Sequence, residues 1–320
     1  MPYAAAVPWL TLGCDSSIYF QRSIHEKYVN KKVSKKEKQM PYVRSGNADI
    51  YYEDHGKGEA VIAIHGLIEN TGYYTLTGVA DTLSAHYRVI PMDMRAHGKT
   101  RVDGEPWGYD AETAGNDIQA LADWLGLSRF HLISHSTGGF ASSRYAMEHS
   151  DRLISLVLTD TSSATCFFNV KQESDVFHDR FARSFEKNGW DKIMAGIKKH
   201  PFPFFRGIAE KNDNQAMYDR VFEMIKVGDR EALGRFIRSF YTDPDPRIDG
   251  LRNIHCPTLV IVGEKDDLFL ESSRLMSREI PDCRLIMFEN AGHMLAIEEP
   301  ERLGREILGF LMANPDIRMC

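Results

Sequence analysis

Phe130-His131-Leu132-Ile133-Ser134-His135-Ser136-Thr137-Gly138-Gly139-Phe140 is an apolar run that breaks off into small and polar residues. The run suits one buried strand, and the segment from Thr137 through Ala146 reads as a helix. A strand that passes straight into a helix leaves one residue at the tip of a sharp bend. Ser136 is that residue, with Ser134 and Gly138 two positions to either side. Side chains at those two positions crowd each other, so small ones are required. Taken alone, the stretch is also compatible with an ordinary Ser-rich strand-to-helix turn, and the rest of the chain has to decide.

Working outward, short apolar runs alternate with helical patterns. Ala60 to Ile64 is a buried-strand run between the turn Gly56-Lys57-Gly58 and His65-Gly66, and Tyr87 to Met94 is another. Ile50-Tyr51-Tyr52 is a strand candidate ahead of them. Ala114, Ile118, Leu121 and Leu125 fall on one helix face between Ala111 and Leu127. After Ser136 come strands at Ile154 to Leu158, Thr258 to Val262 and Arg284 to Phe288. A helix runs through Arg278, and a last one from Pro300 to Met312 carries Leu303, Ile307, Phe310 and Leu311 on one face. Repeated β-α units predict an α/β fold: a mostly parallel, doubly wound sheet of about eight strands.

The alternation stops between about Thr165 and Gly250, after what this reading counts as the sixth strand. Long amphipathic helical patterns replace it, rich in rings such as Phe167, Phe168, Phe177, Phe181, Phe185, Trp190, Phe202, Phe204 and Phe205. The expected division is a basic extension over 1–39, a core over 40–164 and 251–320, and a helical insertion over 165–250. The extension holds seven Lys/Arg against Asp15, Glu26 and Glu37, a net +4 that leaves −10 for the remainder of a chain of net charge −6. It reads as a solvated arm, with weak membrane or partner docking as a minority reading.

The acidic balance argues against nucleic acid as a partner. No apolar run approaches the roughly 20 residues needed to span a bilayer. Five cysteines, Cys14, Cys166, Cys256, Cys283 and Cys320, form no CxxC pair and are odd in number. That fits reduced thiols and a cytoplasmic location better than a disulfide framework. The Leu-Gly-Cys ending at Cys14 is a minor lipoprotein-like alternative. Twelve histidines show no HExxH-like ligand spacing, so no metal is expected. A homodimer is left open.

Hydrolysis by a serine needs a base for the hydroxyl proton, an acid to orient the base, and donors for the forming oxyanion. In an open parallel sheet such groups gather outside the carboxyl ends of the strands. His293 lies in the loop after the last strand, in Glu289-Asn290-Ala291-Gly292-His293. Asp266 follows the preceding strand in Gly263-Glu264-Lys265-Asp266-Asp267 and is the expected acid. Asp267 and Asp160 are its alternatives. A base must be unprotonated to work, so activity is expected to fall in acid.

Ser136 in its bend, followed by Asp266 and His293 in that chain order, resembles the α/β-hydrolase superfamily, in particular serine esterases and lactonases with a helical cap. Ser134 stands where the family's usual first glycine would be. His65-Gly66-Leu67 resembles the family's oxyanion loop, and Asp93-Met94-Arg95-Ala96-His97-Gly98 resembles another family stretch, with Ala96 in place of a glycine. The resemblance implies a cofactor-free hydrolase with Ser136 as nucleophile, His293 as base and Asp266 as acid. The oxyanion donors would be the backbone amides of Leu67 and Thr137. His65 is expected to be structural and His135 to pack sideways; Arg95 or His97 touching substrate is a minority reading. Serine at the tip excludes the aspartate-nucleophile relatives, haloalkane dehalogenases and epoxide hydrolases.

A cap rich in aromatics would supply a pocket for a small apolar or aromatic carboxylic ester or lactone. Arg95 and Lys265 are the motif-loop cations that could meet an anionic group. Alternatives on the same residues are C–C bond hydrolysis and cofactor-free perhydrolysis; outside catalysis, a slow-hydrolysing ligand-sensing protein.

Overall fold

The computed structural model describes residues 41–104, 108–166, 171–201 and 203–316. The basic extension, Cys14, Cys320, Phe167, Phe168 and Phe202 lie outside the described residues. Among the described residues the strands are β1 (Tyr42–Ser45), β2 (Ala48–Tyr51), β3 (His55–Gly56), β4 (Ala60–Ile64), β5 (Arg88–Met92), β6 (Arg101–Val102), β7 (Phe130–His135), β8 (Leu153–Thr159), β9 (Thr258–Gly263) and β10 (Cys283–Phe288).

The main sheet has seven strands in the order β10-β9-β8-β7-β4-β5-β3, and each pairing is parallel except that of β3 with β5. Among the described residues this is close to the expected count of about eight. The strand around Ile50 joins β1 and β6 in an antiparallel sheet of three, and Tyr52 just past it bridges antiparallel to Met92 at the end of β5. The cause is local. Gly46, at φ 54°, turns β1 back onto β2, and that pairing is complete before the chain reaches the main sheet.

Every residue of β4, β7, β8 and β9 is buried, which explains why these strands read as largely apolar runs with no in–out alternation; the polar His131 of β7 meets Ser155 of β8 at 2.8 Å. Helices Ala111–Trp124 and Thr137–His149 pack together, and helix Val79–Ser84 packs on Pro300–Ala313. The order of the strands reverses between β4 and β7: the chain steps outward from β4 to β5, then returns to the other side of β4. Open parallel sheets leave a crevice at such a reversal, beyond the carboxyl ends of the two strands. Ile64 pairs with Ser134, so the loops after β4 and β7 leave the sheet side by side.

Between β8 and β9 the chain forms helices Lys171–Lys187, Trp190–Lys199, Arg206–Ala209, Gln215–Ile225 and Arg230–Phe240. The last buries Leu233, Phe236, Ile237 and Phe240 on one face, and Asp229 caps it by accepting the Glu231 and Ala232 amides at 2.9 and 3.2 Å. The segment leaves and rejoins the sheet at one place. The amides of Thr165 and Cys166 donate to Asp243 O at 2.9 and 3.0 Å, and the Asp243 amide donates to Thr165 Oγ1 at 3.0 Å. Helix Ile248–Arg252 already packs against Thr137–His149. Among the described residues, no helix is long and apolar enough to cross a membrane.

Candidate active site

Ser136 sits between β7 and helix Thr137–His149 at φ 48° and ψ −116°, a backbone conformation L-residues rarely adopt. Such strain costs on the order of 1–3 kcal/mol and persists only where the surroundings fix it. Here its amide donates to Thr159 O at 2.9 Å, while its carbonyl accepts from Thr161 Oγ1 at 2.7 Å and from the Gly139 amide at 2.8 Å. A Cβ on Gly138 would lie 2.5 Å from His65 O, and one on Gly139 would lie 2.4 Å from Thr161 Oγ1. The glycines therefore let β4, β8 and the nucleophile helix close on the bend. Ser134 fits where a glycine was the usual residue: it is buried in β7 and its hydroxyl donates to Val157 O at 3.3 Å.

The three expected residues meet. His293 Nε2 lies 3.1 Å from Ser136 Oγ, and Nδ1 lies 2.8 Å from Asp266 Oδ2. All three are buried. The imidazole stacks on Phe269 at 5.1 Å, with Phe204 at 5.0 Å on another side. Glu298 fixes its loop, accepting the amides of Gly292 and Met294 at 2.8 and 3.1 Å. Asp267 points outward and pairs with Arg206 at 2.6 Å.

Asp160 is the closer alternative. It is fully buried past β8 at φ 46°, and its Oδ1 accepts the Gly263 amide at 2.9 Å. Its Oδ2 meets no N–H or O–H donor at hydrogen-bonding distance. Burial, and next the charge on Asp266, push its carboxyl well above the ordinary range, which favours the protonated form. Asp160, Asp266 and His293 bring oxygen and nitrogen atoms within 4.8 Å of one another, a spacing that could hold a metal ion. His293, however, already engages both ring nitrogens with Asp266 and Ser136, leaving neither for an ion.

His135 packs sideways, as the sequence suggests. It stacks on Tyr73 at 4.4 Å, and burial, followed by the charge on His293, holds it well below the ordinary imidazole range. Its Nε2 lies 3.3 Å from Glu69 Oε1. Glu69 is a buried carboxyl that sequence reasoning missed. It accepts the Gly66 amide, and burial pushes its pKa up to about 8. An acid inside the otherwise apolar turn after His65-Gly66 was the available signal, as was Glu298 in Leu295-Ala296-Ile297-Glu298.

His65 is structural: Nδ1 bonds Gly66 O at 2.7 Å and Nε2 accepts the Met94 amide at 3.0 Å. The turn it supports puts Ile68 at φ 62°, unusual for a β-branched residue. The backbone–backbone bonds of the described loops give the amides of Leu67 and Thr137 no acceptor, although the Thr137 hydroxyl bonds Tyr241 Oη at 2.6 Å. Arg95 is buried in a two-pronged pair with Asp117 at 2.8 and 3.0 Å, and His97 bonds Arg95 O at 2.8 Å. Lys265 pairs with Glu210 at 2.8 Å. Both expected anion-binding cations of the motif loops are thus engaged with carboxylates.

Leu67, Ile68, Phe181, Phe204, Phe205 and Met294 enclose Ser136 and His293 in a crevice of only about 10 Å³. That is room for about one water. A larger cavity of about 300 Å³ lies among the inserted helices and shares Phe181 and Phe205 with the crevice.

The chain matches the alpha/beta hydrolase fold family over residues 59–300. It is 28% identical over 280 residues to a non-heme chloroperoxidase of Kitasatospora aureofaciens, covering 82% of this chain and 96% of that protein. It is 27% identical over 272 residues to a 2-hydroxy-6-oxononadienedioate/2-hydroxy-6-oxononatrienedioate hydrolase of Burkholderia vietnamiensis, covering 82% and 90%. A thermophilic esterase from Thermogutta terrifontis superposes with a TM-score of 0.71 at 24% identity, covering 86% of this chain and 97% of that one. With the match spanning most of its length and the parallel sheet carrying it, the chain belongs to the alpha/beta hydrolase fold family.

Proposed function

We propose that the protein is a serine hydrolase that cleaves a small apolar or aromatic carboxylic ester or lactone through an acyl-enzyme. The observation that carries this reading is the buried bonded chain from Ser136 Oγ to His293 at 3.1 Å and on to Asp266 at 2.8 Å. Ser136 Oγ attacks the acyl carbon while its proton passes to His293 Nε2, and Asp266 steadies the resulting imidazolium through Nδ1–H. The oxyanion accepts the Leu67 and Thr137 amides, the latter opening a helix whose dipole favours negative charge. Collapse breaks the acyl–oxygen bond, and His293 gives its proton to the leaving alkoxide. Water then gives a proton to His293 and its oxygen to the acyl carbon. Ser136 recovers its proton and a carboxylic acid leaves. The inserted helices act as a cap, contributing Phe181, Phe204 and Phe205 to the apolar crevice.

The test is an active-site fluorophosphonate probe, read by mass spectrometry, together with Ser136→Ala. The label is expected on Ser136, and the substitution should lower ester hydrolysis by about 10³-fold or more. Labelling elsewhere, or unchanged turnover in the folded variant, would end the assignment. C–C bond hydrolysis is the second reading, supported by the 27% identical relative named as a hydrolase of 2-hydroxy-6-oxononadienedioate, an acid with a keto group in its chain. Turnover of a diketone-like substrate with no turnover of simple esters would select it. Fast multiple turnover separates either enzyme from a ligand sensor, which would turn over once and keep its product.

A further inference from the structure

The crevice at Ser136 is too small for a substrate tail, and the room lies next door. The neighbouring cavity of about 300 Å³ falls at the lower end of the size range of ligand sites. Rings lead to it from the nucleophile: Phe204 stands 5.0 Å from His293, Phe181 stands 6.5 Å from Phe204, and Phe181 and Phe205 line both spaces. Its walls are apolar, from Phe177, Phe185, Ile193 and Ile197. Its other lining residues include two cations, Arg180 and Lys192, together with His200, all exposed, and among the described residues no acid. Among the described residues, no ion pair or hydrogen bond engages these three side chains, whereas the motif-loop cations Arg95 and Lys265 are paired. In a protein of net charge −6 this is a local reversal of sign at the mouth of an apolar chamber.

We propose that this chamber receives the far end of the substrate, an apolar chain that finishes in an anionic group. The reacting carbonyl sits at Ser136, the chain passes between Phe181 and Phe205, and the anion lies against Arg180, Lys192 and His200. This deepens the hydrolase reading and rests on it. The chemistry favours such an amphiphile over a neutral lipid, because a fully apolar tail would leave Arg180 and Lys192 without a counter-charge beside it. Attraction at an exposed rim acts mainly on capture and weakens with salt.

The test compares para-nitrophenyl monoesters of dicarboxylic acids with para-nitrophenyl esters of monocarboxylic acids of the same chain length, from hexanoyl to dodecanoyl. Acetate esters of ω-hydroxy acids serve as the arm with the anion on the alcohol side. The double variant Arg180→Gln/Lys192→Gln should lower kcat/KM for the anionic ester by about 10-fold. It should leave the methyl-terminated ester and para-nitrophenyl acetate within about twofold. High salt should reproduce that loss in the unmodified protein. Gly196 also lines the chamber, and a Cβ there would meet nothing within 4 Å, so Gly196→Phe fills the space without a clash at the backbone. It should depress all long-chain esters and spare the acetate. Equal effects on short and long esters, or no preference for the anionic end on either side, would overturn the chamber while leaving the hydrolase reading intact. If no ester turns over, the hydrolase reading fails instead. Calorimetric binding of dodecanedioate to unmodified protein, weakened by either variant, would still uphold the chamber, and absence of that binding would sink it.

Discussion

Around His293 two carboxyl groups compete for one role, and environment separates them. Asp266 bonds Nδ1 directly, while Asp160 is buried beside it, its carboxyl pushed up by burial and by the charge on Asp266, with an oxygen that meets no donor at hydrogen-bonding distance. Replacing Asp266 with Asn removes the second of the two influences that raise the Asp160 carboxyl, burial being the first, and so eases ionisation of Asp160 in its place. Asp266→Asn should therefore lose about 10²-fold in kcat, and Asp160→Asn/Asp266→Asn about 10⁴-fold, the scale expected when the base loses its acid. Equal losses in the single and double variants would remove Asp160 from the account. Glu69 gives a prediction for stability. Burial raises its carboxyl to about 8, whereas an unfolded glutamate titrates near about 4.3. Between these values the unfolded chain releases a proton that the folded chain keeps. Stability is therefore highest at the acid end of the window, falls as pH rises through it, and levels off above about 8. Glu69→Gln removes that slope while keeping an oxygen for the Gly66 amide. Its Tm relative to the unmodified protein should climb between pH 5 and pH 8, and a gap that does not change with pH would refute the assignment. Both sites show what single residues disclose in sequence. Ser136, Asp266 and His293 were legible because each follows a strand that reads clearly. Asp266 and Asp267 could not be told apart with certainty, since facing His293 or facing Arg206 depends on a turn that no period records. Glu69 was hidden because a lone acid in a loop reads as solvated.

Among the elements, the central strands were the easiest to read and the edges the hardest. β4, β7, β8 and β9 are buried throughout, so hydrophobicity alone marks them. β3 and β6 have two residues each and carry no periodic signal. The aromatic helices were recognisable as helices, but which rings would meet Ser136 depends on how five separate segments cross. That is a tertiary property, and it left Phe181, Phe204 and Phe205 indistinguishable from rings that only fill the interior. The elements also fix how the loops approach each other. A Cβ on Gly263, the last residue of β9, would lie 2.1 Å from Gly292 O, next to His293. Gly263→Ala must push the loop bearing His293 away from the loop bearing Asp266. A loss of about 3 kcal/mol in unfolding free energy is expected, at the upper end of the usual overpacking range, with a larger fall in kcat than in substrate affinity. Denaturant unfolding and steady-state kinetics measure the two, and unchanged kcat in the variant would show that the loops move independently.

For the molecule as a whole, the strands and each residue placed in the proposed mechanism lie within residues 41–316. Deleting residues 1–39 should leave kcat/KM on a soluble ester within about twofold, because no residue of the proposed mechanism lies there. A collapse of activity with a preserved circular dichroism spectrum would assign the arm a part in the site. The net charge of the chain hides an uneven distribution, since the first 39 residues carry +4 and the remainder −10. The hydrogen bonds that tie Thr165 and Cys166 to Asp243 bear on how this architecture can change. Because departure and return share one spot, a short turn could join the two points and leave the strand order untouched. The inserted stretch, which the proposed function makes the selector of substrate, can then be exchanged, lengthened or reshaped as a cassette, while Ser136, His293 and Asp266 stay on a frame that never registers the swap.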